Sequence, residues 1–366
     1  MSALRVLVSG LVFDLGPGGV QRHAAELLPR AAARLEAHGG SLAVLLGSGG
    51  LTFELPDNIE RIQSGAPGHP AYRRASAETP ALRAAIAAAK ERARPFGLVH
   101  TAHLPTPRDL GLPLAWLVHD LRRIETGPRI LRWLAKREMT RAVRKSAGVL
   151  TVSSATAARL GYHFKVEADV IPNGAEHLQP VPRAPLPNAP LLYVGHVEPR
   201  KDVATLVRAL ALDTSLPDLY IAGIPKGDHQ ARLQAKVERL ELGSRVRFLG
   251  AIDELELREL YATCAAVVLP STYEGFGIVA LEALASGAPL ACSDLAAHRE
   301  VAGDCASYFP VGDAAACARA IGAAISQAID QPNSQTGQER SQSFSWNRSA
   351  DLLVDTWQRL ARAARS

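Results

Sequence analysis

Two glutamates, Glu274 and Glu282, stand with seven residues between them in the stretch STYEGFGIVALEALASGAPL, Ser271 to Leu290. Between them lie the turn Gly275-Phe276-Gly277 and a helical pattern that opens at Ile278 and ends at Gly287. Freed backbone N–H groups at such a turn, with the positive end of the helix dipole, form a site for phosphate, and glycine lets the anion approach closely. Carboxylates do not serve a phosphate. They accept hydrogen bonds from neutral hydroxyls, so acids on either side of an anion cradle describe a polyol, a diphosphate and a second polyol in a row: a nucleotide sugar.

Other stretches supply complementary groups. In YVGHVEPRKDVATLVRAL, Tyr193 to Leu210, a strand ends at Gly195 and a loop carrying His196 presents Arg200 and Lys201 before a helix. Two adjacent cations neutralise a diphosphate and stabilise it as it departs. In LGPGGVQRH, Leu15 to His23, Gly18 and Gly19 join the first strand to the first helix. This is not a nicotinamide fingerprint, because G-x-G-x-x-G is absent and the next strand, SLAVLLGSGG, ends without an acid for an adenosine ribose. In LAWLVHDLRR, His119 and Asp120 stand at a strand's carboxyl end. His119 can hydrogen-bond a sugar hydroxyl or the reacting centre; Asp120 can fix its tautomer or, with Arg122, engage an acceptor. From Arg122 to Lys145 the chain is basic, with only Glu125 and Glu138 opposing, and Ile130, Leu131, Trp133 and Leu134 are interleaved. That pattern suits an anionic membrane surface carrying a lipid-linked acceptor, or a solvated helix face.

The elements that must position these residues are those of an α/β chain. Apolar runs such as LRVLVSG, SLAVLLG, GLVHTA, LAWLVHD, GVLTVSS and ADVIPNG alternate with helical patterns, as βαβ units around a parallel sheet do. Pro29 should kink or stop the first helix, Val20 to His38. The proline-rich stretch 177–190 reads as an interdomain linker. The alternation then restarts with LLYVGHV, DLYIAGI, RVRFLGAI, AAVVLPS, APLACSD and ASYFP. The expected division is 1–176, linker 177–190, 191–345 and a C-terminal helix over 346–366 that crosses back to the N-terminal domain. A loose surface loop is expected over 331–343. Two doubly wound domains facing across a cleft would bind ligand at the carboxyl ends of their strands.

Composition agrees with this organisation. The 366 residues are 47% hydrophobic and 21% charged, enough for two cores. A net charge of +5 suits an anionic ligand or a membrane surface as well as nucleic acid and does not choose among them; on the nucleotide-sugar reading no nucleic-acid partner is expected. Cys264, Cys292, Cys305 and Cys317 form no metal-spaced cluster and read as buried thiols, so no metal site is expected. The N-terminus lacks a signal-peptide pattern and no apolar run is long enough to span a bilayer, so a cytoplasmic location is expected, with peripheral attachment at the inner face of the membrane.

Together these motifs closely resemble the retaining glycosyltransferases of family 4 (glycosyl transferases group 1), which have the GT-B fold. The resemblance runs from about Val6 to about Asp313 and rests chiefly on the spaced glutamates. It implies that Glu274 lies near the donor sugar's hydroxyls and Glu282 binds the ribose. Gly275, Phe276, Gly277 and Ile278 would line the donor, Lys201 would hold the diphosphate, and Gly250 and Ile252 would flank the nucleobase. Gly18 and Gly19 would lie against the donor's phosphate and sugar, and His119 matches a family histidine. Many members have Arg directly after the glycine where this chain has His196, and Arg200 substitutes for it. The resemblance further implies hexose transfer with retention and no cofactor or metal. GDP-mannose is the first expectation, UDP- or dTDP-sugars the alternative, and a catalytically silent nucleotide-sugar-binding protein the rival.

Overall fold

The computed structural model describes residues 3–13, 18–186, 188–330 and 336–365. The chain folds as two compact units, Met1–Asn173 with Ser345–Ser366, and Gly174–Phe344. In the first, β1 (Arg5–Ser9), α1 (Gly19–Ala37), β2 (Ser41–Leu46), β3 (Ile59–Gln63), α2 (Ala71–Glu91), β4 (Leu98–Thr101) and β5 (Leu114–Val118) are followed by α3 (Arg122–Glu125), α4 (Arg129–Lys145), β6 (Gly148–Thr151), α5 (Ser154–Phe164) and β7 (Asp169–Val170). The strands form one parallel sheet in the order β3-β2-β1-β4-β5-β6-β7. Val6 of β1 lies beside Leu42 on one side and Leu98 on the other. Every residue of β1, β4 and β5 is buried, which is why these strands read as unbroken apolar runs. The order reverses at β1 and β4, so their carboxyl-end loops diverge and leave room for polar groups.

The second unit holds β8 (Leu191–Val194), α6 (Val203–Leu212), β9 (Leu219–Ala222), α7 (His229–Arg239), β10 (Val246–Gly250), α8 (Glu254–Thr263) and β11 (Ala266–Leu269). These are followed by α9 (Ile278–Ala285), β12 (Leu290–Ser293), α10 (Ala296–Ala302), β13 (Ser307–Phe309), α11 (Ala314–Asp330) and α12 (Thr336–Gln342). Its parallel sheet has the order β10-β9-β8-β11-β12-β13, reversing at β8 and β11. The ends of β8 and β9 approach so closely that a Cβ on Gly223 would fall 1.9 Å from the Gly195 carbonyl oxygen, so only glycine fits there.

The C-terminal helix α13 (Trp346–Ala363) belongs to the first unit. Ser345 caps it by accepting from the Arg348 N–H. Leu353, Val354, Trp357, Leu360 and Ala361 form its buried stripe at helical spacing. Trp357 donates from its indole nitrogen to His100 Nδ1 at 3.3 Å, and Leu360 fills the space that a side chain at Gly148 would need.

Several expectations are corrected. Helix α1 does not stop at Pro29: it buries Leu27 and Leu28 before the proline and Ala31, Ala32 and Leu35 after it, and packs along α13. Burial on both sides outweighs the roughly 3 kcal/mol cost of an interior proline. The stretch 177–190, read as an interdomain linker, lies with the second unit, because Ala184 N–H and Leu186 N–H donate to the Ala262 and Thr263 carbonyls and Arg183 donates to the Tyr261 and Cys264 carbonyls. The loop expected over 331–343 contains α12; residues 331–335 lie outside the described residues, as do Leu15, Gly16 and Pro17 of the first glycine loop. Strand β3, IERIQ, escaped the sequence reading because it is a polar edge strand. The four thiols are free, and Cys305 is partly exposed rather than buried.

Trp357 lies in the core with no exposed surface, so Trp357→Ala should cost about 3–5 kcal/mol. Urea unfolding should show the loss; a cost below 1 kcal/mol would mean that α13 is not integral to the first unit.

Candidate functional site

In the second unit β8 and β11 are neighbours, and the loops leaving their carboxyl ends are bonded to each other. The β8 loop closes into a 3-10 turn, Pro199–Lys201, and the β11 loop carries Glu274. Thr272 N–H donates to the Arg200 carbonyl at 2.7 Å and its hydroxyl donates to the same oxygen at 3.1 Å, stitching the loops together. Lys201 Nζ donates to Glu274 Oε1 at 2.6 Å, Arg200 Nη1 to Oε2 at 3.2 Å, and Ser271 Oγ to Oε1 at 2.7 Å. Arg200 also pairs with Glu198 at 2.7 Å, which lies 3.7 Å from Lys226. Burial works to raise the Glu274 pKa, but Lys201, then Arg200, outweigh it and hold the carboxyl down to about 2. The carboxylate is therefore the resident counter-ion of the two cations expected to grip a diphosphate.

The turn expected to cradle an anion follows Glu274. Gly277 adopts φ +94°, left-handed backbone that disfavours a side chain, and begins α9 as its cap. The first N–H groups of α9 have no carbonyl a turn earlier to pair with. Phe276 is buried against Phe344, and Gly275 and Ile278 are half-buried at the same turn. Beneath Gly277 lies a residue that sequence reasoning missed, His298 of α10. A Cβ on Gly277 would come within 3.1 Å of His298 Cδ2. His298 Nδ1 donates to the Ser293 carbonyl at 2.8 Å, while its buried Nε2 has no partner among the described residues. No pattern around ACSDLAAHRE distinguishes this histidine from a core residue.

Glu282, expected to meet a ribose, has both oxygens engaged within the second unit: His177 Nε2 lies 2.9 Å from Oε1 and the Tyr261 hydroxyl donates to Oε2 at 2.9 Å. The carboxylate is buried, and a ribose hydroxyl would have to share these partners. Sequence spacing does not reveal His177, which lies 105 residues away. His196 is half-buried; its carbonyl accepts from Tyr193 at 2.8 Å, and burial, aided by Lys226, lowers its pKa. Gly250, at φ +74°, ends β10, and Ile252 lies half-buried just before the Asp253 cap of α8.

In the first unit, His119 follows β5 and its ring meets His23 edge-on, centroids 5.0 Å apart. His23 Nδ1 donates to Asn173 Oδ1 at 2.8 Å. Burial, then the neighbouring His23 and His100, depress the His119 pKa well below 6.5, so its imidazole is neutral. Asp120 does not reach this ring as the tautomer-setting partner; it is exposed and accepts from the Arg122 N–H at 3.0 Å, just before α3. Gly18 and Gly19 open α1. A second missed constellation surrounds β4: Ser9 Oγ donates to Glu78 at 2.6 Å, His103 Nε2 lies 3.0 Å from Glu78 Oε2, and Thr101 Oγ1 lies 3.1 Å from His103 Nδ1. Burial opposes ionisation of Glu78, but His103 overrides it and lowers the pKa. Among the described residues no three His, Cys, Asp or Glu side chains are grouped as metal ligands, and no helix is long and apolar enough to cross a membrane.

Because the Glu274 carboxyl is depressed from 4.5 to about 2, its stabilising contribution is complete above pH 4.5 and disappears as pH falls through 2. The difference corresponds to on the order of 3 kcal/mol. Urea midpoints at pH 6 and pH 3 should diverge more for the wild type than for Glu274→Gln; equal slopes would show that the carboxylate is not held this way.

Comparison with known proteins fits this geometry. Residues 17–177 match the model for Glycosyltransferase Family 4, and residues 177–340 that for Glycosyl transferases group 1. The chain is 30% identical over 177 residues to the O-antigen chain mannosyltransferase B of Escherichia coli, covering 46% of this chain and 45% of that one. It is 28% identical over 284 residues to the MMP alpha-(1->4)-mannosyltransferase of Mycolicibacterium hassiacum, covering 74% and 67%. Among solved structures it superposes on Anabaena Alr3699/HepE in complex with UDP-glucose with a TM-score of 0.73 at 18% identity, covering 96% and 99%. The paired parallel sheets, the two family matches and this likeness make the chain a member of glycosyltransferase family 4, with a glycosyl transferases group 1 domain and the GT-B fold.

Proposed function

We propose that the protein transfers a hexose from a nucleoside diphosphate sugar to a hydroxyl of a saccharide or lipid-linked acceptor, with retention of anomeric configuration. The observation that carries this reading is the meeting of Lys201, Arg200 and the Gly277 turn at the ends of β8 and β11. A diphosphate placed on the turn draws both cations from Glu274, and the freed carboxylate accepts from sugar hydroxyls. The acceptor oxygen bonds to the anomeric carbon on the face from which the phosphate oxygen leaves, and that oxygen takes the acceptor's proton. Lys201, Arg200 and the amides near Gly277 stabilise the departing dianion. His119, kept neutral, serves as a hydrogen-bond partner rather than a cation. Gly18, Gly19, His196, Gly250, Ile252 and Glu282 are proposed donor contacts, and Asp120 and Arg122 acceptor contacts.

GDP-mannose is the preferred donor because relatives similar to this chain are mannosyltransferases. A UDP-sugar is the second reading, favoured by the UDP-glucose bound to Alr3699/HepE. The reading requires no metal, since the two side-chain cations supply the positive charge. At the first unit's surface, α4 exposes Ile130, Leu131, Trp133 and Leu134 by 46–64% among its arginines and lysines. That face is proposed to lie on an anionic membrane.

Thermal shifts with GDP-mannose, UDP-glucose and dTDP-glucose test the donor. A shift with UDP-glucose alone would replace mannose by the second reading; binding without donor hydrolysis or transfer would favour a silent binding protein. Lys201→Met should lower kcat/KM about 10²–10³-fold, since it removes a charge that stabilises the leaving group. His119→Ala should lower kcat about 10²-fold with donor binding retained. Wild-type rates for both would remove these assignments, and loss of turnover in EDTA would contradict metal independence. Trp116, Trp346 and Trp357 are buried, so a blue shift of tryptophan fluorescence on phosphatidylglycerol vesicles should report Trp133; no shift and no co-sedimentation would leave α4 a solvated face.

A further inference from the structure

His298 is built into the donor site from below. It has no exposed surface, its Nδ1–H is fixed on the Ser293 carbonyl at the end of β12, and its Nε2 lone pair has no partner among the described residues. Ser293 Oγ in turn donates to the Ser271 carbonyl, so the histidine is tied to the strand end that carries Glu274. A buried nitrogen without a hydrogen bond costs stability, and one beneath a ligand-binding turn calls for an explanation. The charged groups that act on it come from the two loops above: Glu274 from the β11 loop and Lys201 from the β8 loop. On its own helix, the neighbouring Arg299 is committed to Asp294 at 2.8 and 2.9 Å. From β13 the Tyr308 hydroxyl reaches, among the described residues, only backbone carbonyls, those of His298 and Gly303.

Resting on the donor reading above, we propose that His298 is a positioning residue that takes up a proton at Nε2 when the nucleotide sugar binds and becomes the new counter-ion of Glu274. In the free protein Lys201 and Arg200 neutralise that carboxylate. Burial first, with Lys201 adding to it, keeps the imidazole pKa low against the raising effect of Glu274 and the Ser293 carbonyl. Binding changes each charge term in one direction. The diphosphate brings negative charge to the turn above the ring, draws Lys201 and Arg200 toward itself, and leaves Glu274 without its cations. All three changes favour imidazolium. The proton comes from solvent and bonds to Nε2, while Nδ1–H stays on Ser293. A charged imidazole then holds Glu274 in place while its outward oxygens meet sugar hydroxyls.

The test is isothermal titration calorimetry of the full chain with GDP-mannose and with UDP-glucose, in buffers of different ionisation enthalpy at pH 6.5 to 8. Each phosphate of such donors carries one ester and one anhydride bond, so neither contributes a proton near neutrality. The expected result is an uptake approaching about one proton per site at the lower pH, lost in His298→Gln and reduced in Glu274→Gln. Binding heat that is the same in every buffer overturns the proposal in the wild type alone, whether or not a variant folds, and leaves the donor reading standing. Undiminished uptake in His298→Gln also overturns it. No binding heat from either donor, with the protein folded, overturns the donor reading and this inference with it.

Discussion

The second unit is organised around one carboxylate and two cations held together by the ends of adjacent strands. Glu274 meets Lys201 and Arg200 where β8 and β11 lie side by side, and each member is expensive to bury alone. Together they are tolerable, because each charge desolvated by the loops has a partner at hydrogen-bond distance. The arrangement requires the 3-10 turn after β8 and the glycine turn after β11 to keep their shapes. The stitching of Thr272 to the Arg200 carbonyl does this, as does the near contact of Gly223 with Gly195. A site assembled from opposite charges in contact carries no unpaired cations, and its cations are already gathered at one place.

Much of this was legible in the sequence for physical reasons. Fully buried parallel strands are apolar on both faces, so LRVLVSG and AAVVLPS announce themselves. A glycine turn between a strand and a helix, with an acid before it, is a local pattern, and Glu274, Gly277 and Lys201 stand where that pattern puts them. The polar strand β3 did not register because an edge strand alternates, and Pro29 does not end α1 because propensity is local while the burial of Leu27, Leu28 and Leu35 is not. Partners brought in from a distance were beyond reach. Nothing near Glu282 signals His177 or Tyr261, and nothing near Gly277 signals the ring of His298 beneath it.

Glu282 shows why a motif position and its environment have to be argued separately. Its spacing from Glu274 puts it on the buried side of α9, where a carboxylate needs partners whether or not a ligand is present. His177 and Tyr261 meet that need. Such a network fixes the rotamer of Glu282 and ties α8 to α9 and to the segment that opens the second unit. A ribose that used this acid would therefore find it already oriented, and would add a bond to a carboxylate with spare lone pairs rather than recruit a free side chain.

The first unit treats its ionisable groups differently. Its sheet also reverses, at β1 and β4, and polar side chains collect at those strand ends: Ser9, Thr101 and His103 around Glu78, with His23, His100 and His119 alongside. Burial drives His23 to about 4 and His100 to about 3. These rings are neutral throughout the physiological range, and the repulsion each would feel from a charged neighbour reinforces burial in keeping them so. A neutral imidazole can accept and donate hydrogen bonds without paying the desolvation cost of a cation, and it does not compete with lysine or arginine for phosphate. One topology, used in each unit, thus supports two kinds of chemistry. In the second unit the switch-point loops carry opposite charges paired with one another; in the first, neutral imidazoles and hydroxyls collect near one ionised carboxylate, Glu78.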